Sequence, residues 1–136
     1  MKPEVSEKLF VEELFYKSLN EKKIPSPQDQ CDVDKLTGDA STRRYYRVTS
    51  NSHSYVVCLD QPQDTSVEKN NPFIDVHSAF TESSVRVPRI YDYELDKGYF
   101  LEEDLGDATL LSILGKETSV QVEYDLYLKA LEQLNK

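Results

Sequence analysis

The segment from Leu36 to Leu59 limits the fold more than any other part of the chain. Two runs rich in Tyr and Val, Tyr45-Tyr46-Arg47-Val48 and Tyr55-Val56-Val57-Cys58-Leu59, flank the polar cluster Asn51-Ser52-His53-Ser54. Such residues favour a pleated, half-buried strand, and a short polar cluster between two such runs closes an antiparallel hairpin. A loop with one glycine precedes the hairpin: Gly38-Asp39-Ala40-Ser41-Thr42, then Arg43 and Arg44 side by side. Gly38 tolerates φ > 0 and its small neighbours leave the backbone accessible, so N–H groups there can turn toward an anion. Arginine adds a planar fork that matches phosphate oxygens. The same Gly-Asp-Ala-Ser run also makes an ordinary turn, and the residues alone leave both readings open.

Charge narrows the choice of partner. The 136 residues suit one domain with a sizeable core and carry a formal net charge of -9, which disfavours a nucleic-acid backbone or an anionic membrane surface. Arg43, Arg44 and Arg47 then form a local basic patch on an acidic body, suited to a small polyanion. Cys31 and Cys58 lack metal-ligand spacing, and the charged start Met1-Lys2-Pro3-Glu4 is not a signal peptide, so a reduced cytoplasmic setting is expected. No apolar run approaches the roughly 20 residues of a membrane span.

In chain order, Val5, Leu9, Phe10, Leu14, Phe15 and Leu19 recur at helical spacing and predict an amphipathic helix over about 6–20. Pro25 and Pro27 end it and open a polar connector; Val33 to Thr37 reads as a first strand ahead of the hairpin. A surface loop follows, over 61–71. Pro72 marks the first turn of a second helix with Phe73, Val76, His77 and Phe80 on its apolar face, closed by Ser83-Ser84. Val87-Pro88-Arg89-Ile90-Tyr91-Asp92-Tyr93 and Tyr99-Phe100-Leu101 read as a second hairpin about the turn Asp96-Lys97-Gly98. A short helix over 109–114, capped by Asp107 and ended by Gly115, leads to a last one over about 119–135 with Tyr124, Tyr127, Leu128, Leu131 and Leu134 on one face. The order predicts an α+β fold: a five-stranded antiparallel sheet, a helix inserted between the third and fourth strands, and helices at both termini.

Four motifs occur in order along this frame: the loop Gly38 to Arg47, Pro72-Phe73, Val87-Pro88-Arg89-Ile90-Tyr91, and Leu101-Glu102-Glu103-Asp104-Leu105-Gly106-Asp107. Together they resemble the aminoglycoside-phosphotransferase-like kinases, from about Leu36 to the C-terminus. Within that group the chain looks most like the bacterial kinases that phosphorylate the anomeric hydroxyl of N-acetylmuramate and N-acetylglucosamine in cell-wall recycling. The resemblance implies a protein-kinase-like small lobe over 31–104, preceded by a helix and connector over 1–30. A hinge and the first helices toward a second lobe would occupy 105–136.

The resemblance also implies roles. Gly38, Asp39, Ala40 and Ser41, with Arg43 and Arg44, would lie over the ATP phosphates. Leu36, Val57 and Leu101 would wall the adenine pocket, and backbone groups from Glu103 to Leu105 would hold the adenine edge. The third strand has no lysine, so Arg44 or Arg43 would meet the phosphates, with Asp75 on the inserted helix orienting it. The family's aspartate base, from a His-Gly-Asp loop, and its Mg²⁺ ligands belong to the second lobe. His53 and His77 are each followed by Ser, and Asp32-Val33-Asp34 lies upstream of the loop, so these residues supply neither. Consecutive strand residues Glu102, Glu103 and Asp104 point to opposite faces and cannot converge on an ion.

The expectation is thus a nucleotide-binding lobe of an ATP-dependent amino-sugar kinase, separated from its catalytic half and inactive alone. The alternative is a non-catalytic kinase-lobe remnant that senses nucleotide or binds protein. Either would expose apolar surface and self-associate or take a partner chain.

Overall fold

A computed structural model describes residues 3–24, 30–36, 42–67, 70–106 and 120–135. Its elements are α1 (Pro3–Asn20), β1 (Asp32–Lys35), β2 (Arg44–Ser50), β3 (His53–Leu59), α2 (Pro72–Glu82), β4 (Ile90–Glu94), β5 (Tyr99–Glu103) and α3 (Val120–Leu134). The strands form one antiparallel sheet in the order β1-β2-β3-β5-β4. This is the five-stranded α+β arrangement of a kinase-like small lobe, with one helix between β3 and β4 in sequence. The short helix expected over 109–114 lies outside the described residues.

Turn chemistry fixes the hairpins. β2 and β3 run to Ser50 and His53, so the connection shrinks from the expected four residues to Asn51-Ser52. Asn51 sits at φ 58, the left-handed conformation that two-residue hairpin loops require and that asparagine tolerates. β1 ends at Lys35, but Leu36 N–H still donates to the Tyr45 carbonyl at 2.8 Å. At α2, Asn71 is the N-cap: its side-chain oxygen accepts from Phe73 N at 3.0 Å and Ile74 N at 3.3 Å, and Pro72 fills the first turn.

The chain divides into two compact units. One comprises Met1–Lys69 with Pro88–Asp104, and so holds α1 and the whole sheet; the other comprises Asn70–Val87 with Leu105–Lys136. In the first, Val11, Leu14 and Phe15 of α1 and the following Ile24 are buried against Tyr46, Val48, Tyr55, Val57, Leu59, Tyr99 and Leu101. Each such side chain contributes about 1.5–3 kcal/mol when removed from water. The buried stripe of α1 runs through Val11, Leu14, Phe15 and Ser18, whereas Leu9 is 47% exposed. In the second unit, Arg86 N–H donates to Gln133 Oε1 at 2.9 Å, linking the segment after α2 to α3. Tyr124, Tyr127, Leu128, Leu131 and Leu134 of α3 are all exposed.

A polar network fastens the end of α1 to β4 and β5. Ser18 Oγ donates to Asp92 Oδ2 at 3.1 Å, Lys23 Nζ donates to Asp92 Oδ1 at 2.8 Å, and Lys17 Nζ donates to Glu94 Oε2 at 3.1 Å. The Lys17 hydrogen bond, against a smaller opposing effect of burial and with help from Lys97 and Tyr99, pulls the Glu94 carboxyl down to about 2. A carboxyl depressed in the fold adds stability above its unfolded value, about 4.3, and loses it as pH falls toward 2. The midpoint of thermal unfolding is therefore expected to fall between pH 5 and 2, and to fall less in Glu94→Gln over the same range.

Candidate functional site

The register divides the sheet into two faces, because residues directly opposite in an antiparallel ladder point the same way. Tyr46, Val57 and Leu101 stand in one row and belong to the core under α1. Tyr45, Cys58 and Phe100 stand in the next row, and Arg47, Val56 and Glu102 in the one after it, on the opposite face. Leu36, one residue past the Lys35–Tyr46 pair and half-buried, falls on that second face beside Tyr45. Val57 and Leu101, expected as adenine walls, are instead fully buried at 0% exposure and line no open surface. Alternation alone gives two rows per strand, and only the placement of α1 shows which row is covered.

The arginines are spread over both faces. Arg44 lies opposite Leu59, in the α1 row; its Nε donates to Glu7 Oε2, and its Nη1 to the Thr42 carbonyl at 2.9 Å. Glu7 also accepts from the Tyr46 hydroxyl at 2.6 Å, so Arg44 serves to fix the start of α1. Arg43 Nε donates to Asp60 Oδ2 at 3.1 Å, and its guanidinium acts on Cys58 and Glu102 of the second face. Arg47 holds Asp104 with both ends of its fork, Nε to Oδ2 at 2.7 Å and Nη2 to Oδ1 at 3.2 Å. Ser54 Oγ donates to the same Asp104 oxygen. The basic patch expected from sequence is thus neutralised residue by residue, because each arginine finds a carboxylate from a distant part of the chain. Nothing in the local sequence marks Glu7, Asp60 and Asp104 as those partners.

The other expected site residues fall as follows. Gly38, Asp39, Ala40 and Ser41 lie outside the described residues. Glu103 is exposed; its N–H donates to the Arg89 carbonyl at 2.8 Å, and its Oε1 accepts from Arg89 N–H at 3.1 Å. Leu105, in the second unit, is 67% exposed. Asp75, in the same unit, sits exposed in the first turn of α2, where unpaired N–H groups favour negative charge.

Two titrating groups on the second face are strongly perturbed. Burial pushes the Cys58 thiol up to about 12, with Glu102 adding to the effect, so it behaves as an inert core group and not a nucleophile. Burial likewise pushes the Glu102 carboxyl up to about 7, against the pull of Arg43. Sequence reasoning treated Glu102 only as part of an acidic run; its place on this face follows from its register with Val56.

A separate cavity of about 240 Å³ opens on the α1 side, lined by Glu7, Phe10, Arg44, Leu59, Asp60 and Lys97 among others. It falls below the roughly 300–1,000 Å³ of small-molecule sites and cannot take a whole nucleotide. Among the described residues no cluster of three His, Cys, Asp or Glu side chains is arranged to hold a metal. These residues do not fit a Mg²⁺ site, and no step through the ion is assigned to them. No described helix is long and apolar enough to cross a membrane.

Sheet order, the helix between β3 and β4, and the paired Arg43 beside the second face define a kinase-like small lobe. The chain belongs to the phosphotransferase enzyme family, which matches residues 32–135. It is similar to an N-acetylmuramate/N-acetylglucosamine kinase of Neisseria meningitidis serogroup B, 32% identical over 108 residues, covering 79% of this chain and 31% of that protein. It is also similar to the enzymes of the same name from Pseudomonas putida, 34% identical over 83 residues (61% of this chain, 24% of that one), and Pseudomonas aeruginosa, 38% identical over 78 (57% and 22%). The chain therefore spans about a third or less of the length of these curated relatives. No solved structure matches it.

Proposed function

We propose that these residues form the nucleotide-binding lobe of an ATP-dependent phosphotransferase whose acceptor is an amino sugar. The observation that carries the reading is Arg43, a guanidinium fixed by Asp60 at the end of a sheet face that also presents the half-buried Leu36 and Val56. A planar cation beside an apolar strip suits a nucleotide, with phosphates on the cation and base on the strip. In this reading Gly38, Asp39, Ala40 and Ser41 serve the phosphates and Arg43 meets their charge. Asp60, not Asp75, orients that arginine. Leu36 and Val56 wall the base, Val57 and Leu101 support the wall from the core side, and backbone groups of Glu103 and Asp104 meet its edge. Arg44 is structural. Mg²⁺ ligands, the general base and the sugar contacts come from residues other than these 136, matching the share of the relatives that the chain does not cover.

The setting is cytoplasmic, where ATP and a recycled cell-wall sugar meet. The chain alone is expected to release no ADP with either N-acetylmuramate or N-acetylglucosamine. Binding is tested by thermal unfolding: Mg-ATP at 100 times its dissociation constant adds about 2.7 kcal/mol to stability, a rise of several degrees. Arg43→Ala should remove that rise, and Arg44→Ala should keep it while lowering the unliganded midpoint. A wild-type midpoint that Mg-ATP leaves in place would overturn the reading.

A second reading, a non-catalytic lobe that senses nucleotide or associates with protein, draws on the exposed apolar face of α3. Such a face self-associates or takes a partner chain. Sedimentation of the chain over a concentration series decides it, since a monomer at every concentration excludes self-association.

A further inference from the structure

Among the described residues three strand carboxylates, Asp32, Asp34 and Glu102, accept no side-chain hydrogen bond, and of these Asp32 and Asp34 are exposed whereas Glu102 is half-buried. Glu7, Asp60, Asp92, Glu94, Glu103 and Asp104 each accept hydrogen bonds that tie elements together. Glu102 stands opposite Val56 on β3 and Ile90 on β4, on the face shared with Tyr45, Cys58 and Phe100. Burial pushes its carboxyl up to about 7, and among the described residues the cation acting against this is Arg43. Among the described residues no side-chain hydrogen bond satisfies it, yet no deeply buried polar side-chain atom is left without a partner. The Glu102 oxygens therefore keep a route to solvent. A desolvated acceptor that lacks a donor and remains reachable is poised for one brought by a ligand.

We propose that Glu102 reads the base of the bound nucleotide, accepting a hydrogen bond from the exocyclic amine of adenine and rejecting guanine. The inference rests on the nucleotide-lobe reading above. Glu102 lies on β5 just before the strand end at Glu103, directly opposite Val56 in the row assigned to the base. An ionised carboxyl can only accept. Adenine offers an N–H at its 6-position, whereas guanine offers an oxygen there, so the second base sets acceptor against acceptor. Sites built on a specific polar partner reject the mismatched analogue far better than apolar walls do, because the mismatch leaves buried groups unpaired.

The test is calorimetric titration of the full chain with Mg-ATP and Mg-GTP at pH 8, for wild type, Glu102→Leu and Glu102→Gln. Wild type is expected to bind ATP at least tenfold more tightly than GTP. Glu102→Leu should bring the two dissociation constants within about twofold, chiefly by weakening ATP. Glu102→Gln, whose amide both donates and accepts, should fall between. Leucine removes an unpartnered buried carboxyl at similar volume, so the unliganded melting temperature of Glu102→Leu should hold or rise, separating a lost contact from a lost fold. A Glu102→Leu chain that keeps the wild-type ATP:GTP ratio overturns the inference and leaves the lobe reading standing. A wild-type chain that binds neither nucleotide overturns both.

Discussion

Replacing Asp92 by alanine is expected to cost about 3 kcal/mol of folding stability, since it leaves buried hydroxyls short of an acceptor at about 1–3 kcal/mol and removes charge-assisted bonds. Ser18 and Tyr99 are both fully buried, and Asp92 itself is 6% exposed. The carboxylate accepts from Ser18 Oγ at 3.1 Å and Lys23 Nζ at 2.8 Å, and it lies 3.2 Å from the Tyr99 hydroxyl. Two of these partners have a fallback, which keeps the loss below the largest values for broken buried pairs. Lys23 retains Glu21 at 3.3 Å, and the Tyr99 hydroxyl retains Glu94 Oε2 at 3.0 Å. Among the described residues the Ser18 hydroxyl has no other side-chain acceptor, so the double variant Ser18→Ala with Asp92→Ala should cost less than the sum of the singles. Urea titration measures this, provided the slope of stability against denaturant stays constant. An Asp92→Ala chain within 1 kcal/mol of wild type would show that the network does not fasten α1 to the sheet.

Gly98→Ala is the other large effect, about 3 kcal/mol, combining left-handed strain with a backbone clash. Gly98 sits at φ 73, and a Cβ there would stand 2.4 Å from the Asp60 carbonyl oxygen and 3.0 Å from Pro62 N. The Asp60 segment cannot simply withdraw, because Asp60 N–H donates to the Gly98 carbonyl at 2.8 Å. Gly106 supplies the control: at φ 85 it has the same kind of backbone, but no described residue lies within 4 Å of an added Cβ. Gly106→Ala should therefore cost only about 1–2 kcal/mol, the strain alone. Any displacement of Asp60 also moves the carboxylate that fixes Arg43, so Gly98→Ala should weaken Mg-ATP binding as well as the fold. Equal losses of stability in the two variants would show that the close approach at Gly98 carries no weight.

The fold was largely legible from residues that act locally. Pro72 announced the start of α2, Asn51 and Gly98 the hairpin turns, and alternating Tyr and Val the strands. The class of protein followed from the order of those elements together with four motifs. The site was legible only in part. Arg43 can be singled out from sequence, but so can Arg44 and Arg47, and they differ in the carboxylate each meets and in the face of the sheet on which it stands. Glu102 gave no signal in a run of three acids, because its importance depends on which neighbours take it out of water.

The amino-acid sequence by itself determined the strands, the turns and the family, since each depends on contacts within a few residues or on a linear pattern. Which face of the sheet is core was decided only by tertiary structure. Period-two alternation is symmetric between faces, and α1 breaks the symmetry by burying Tyr46, Val57 and Leu101, leaving Tyr45, Cys58 and Glu102 on the other side. Side-chain charge obeys the same limit. An arginine has the same charge wherever it stands, but whether it can meet a phosphate depends on the carboxylate that the fold brings to it.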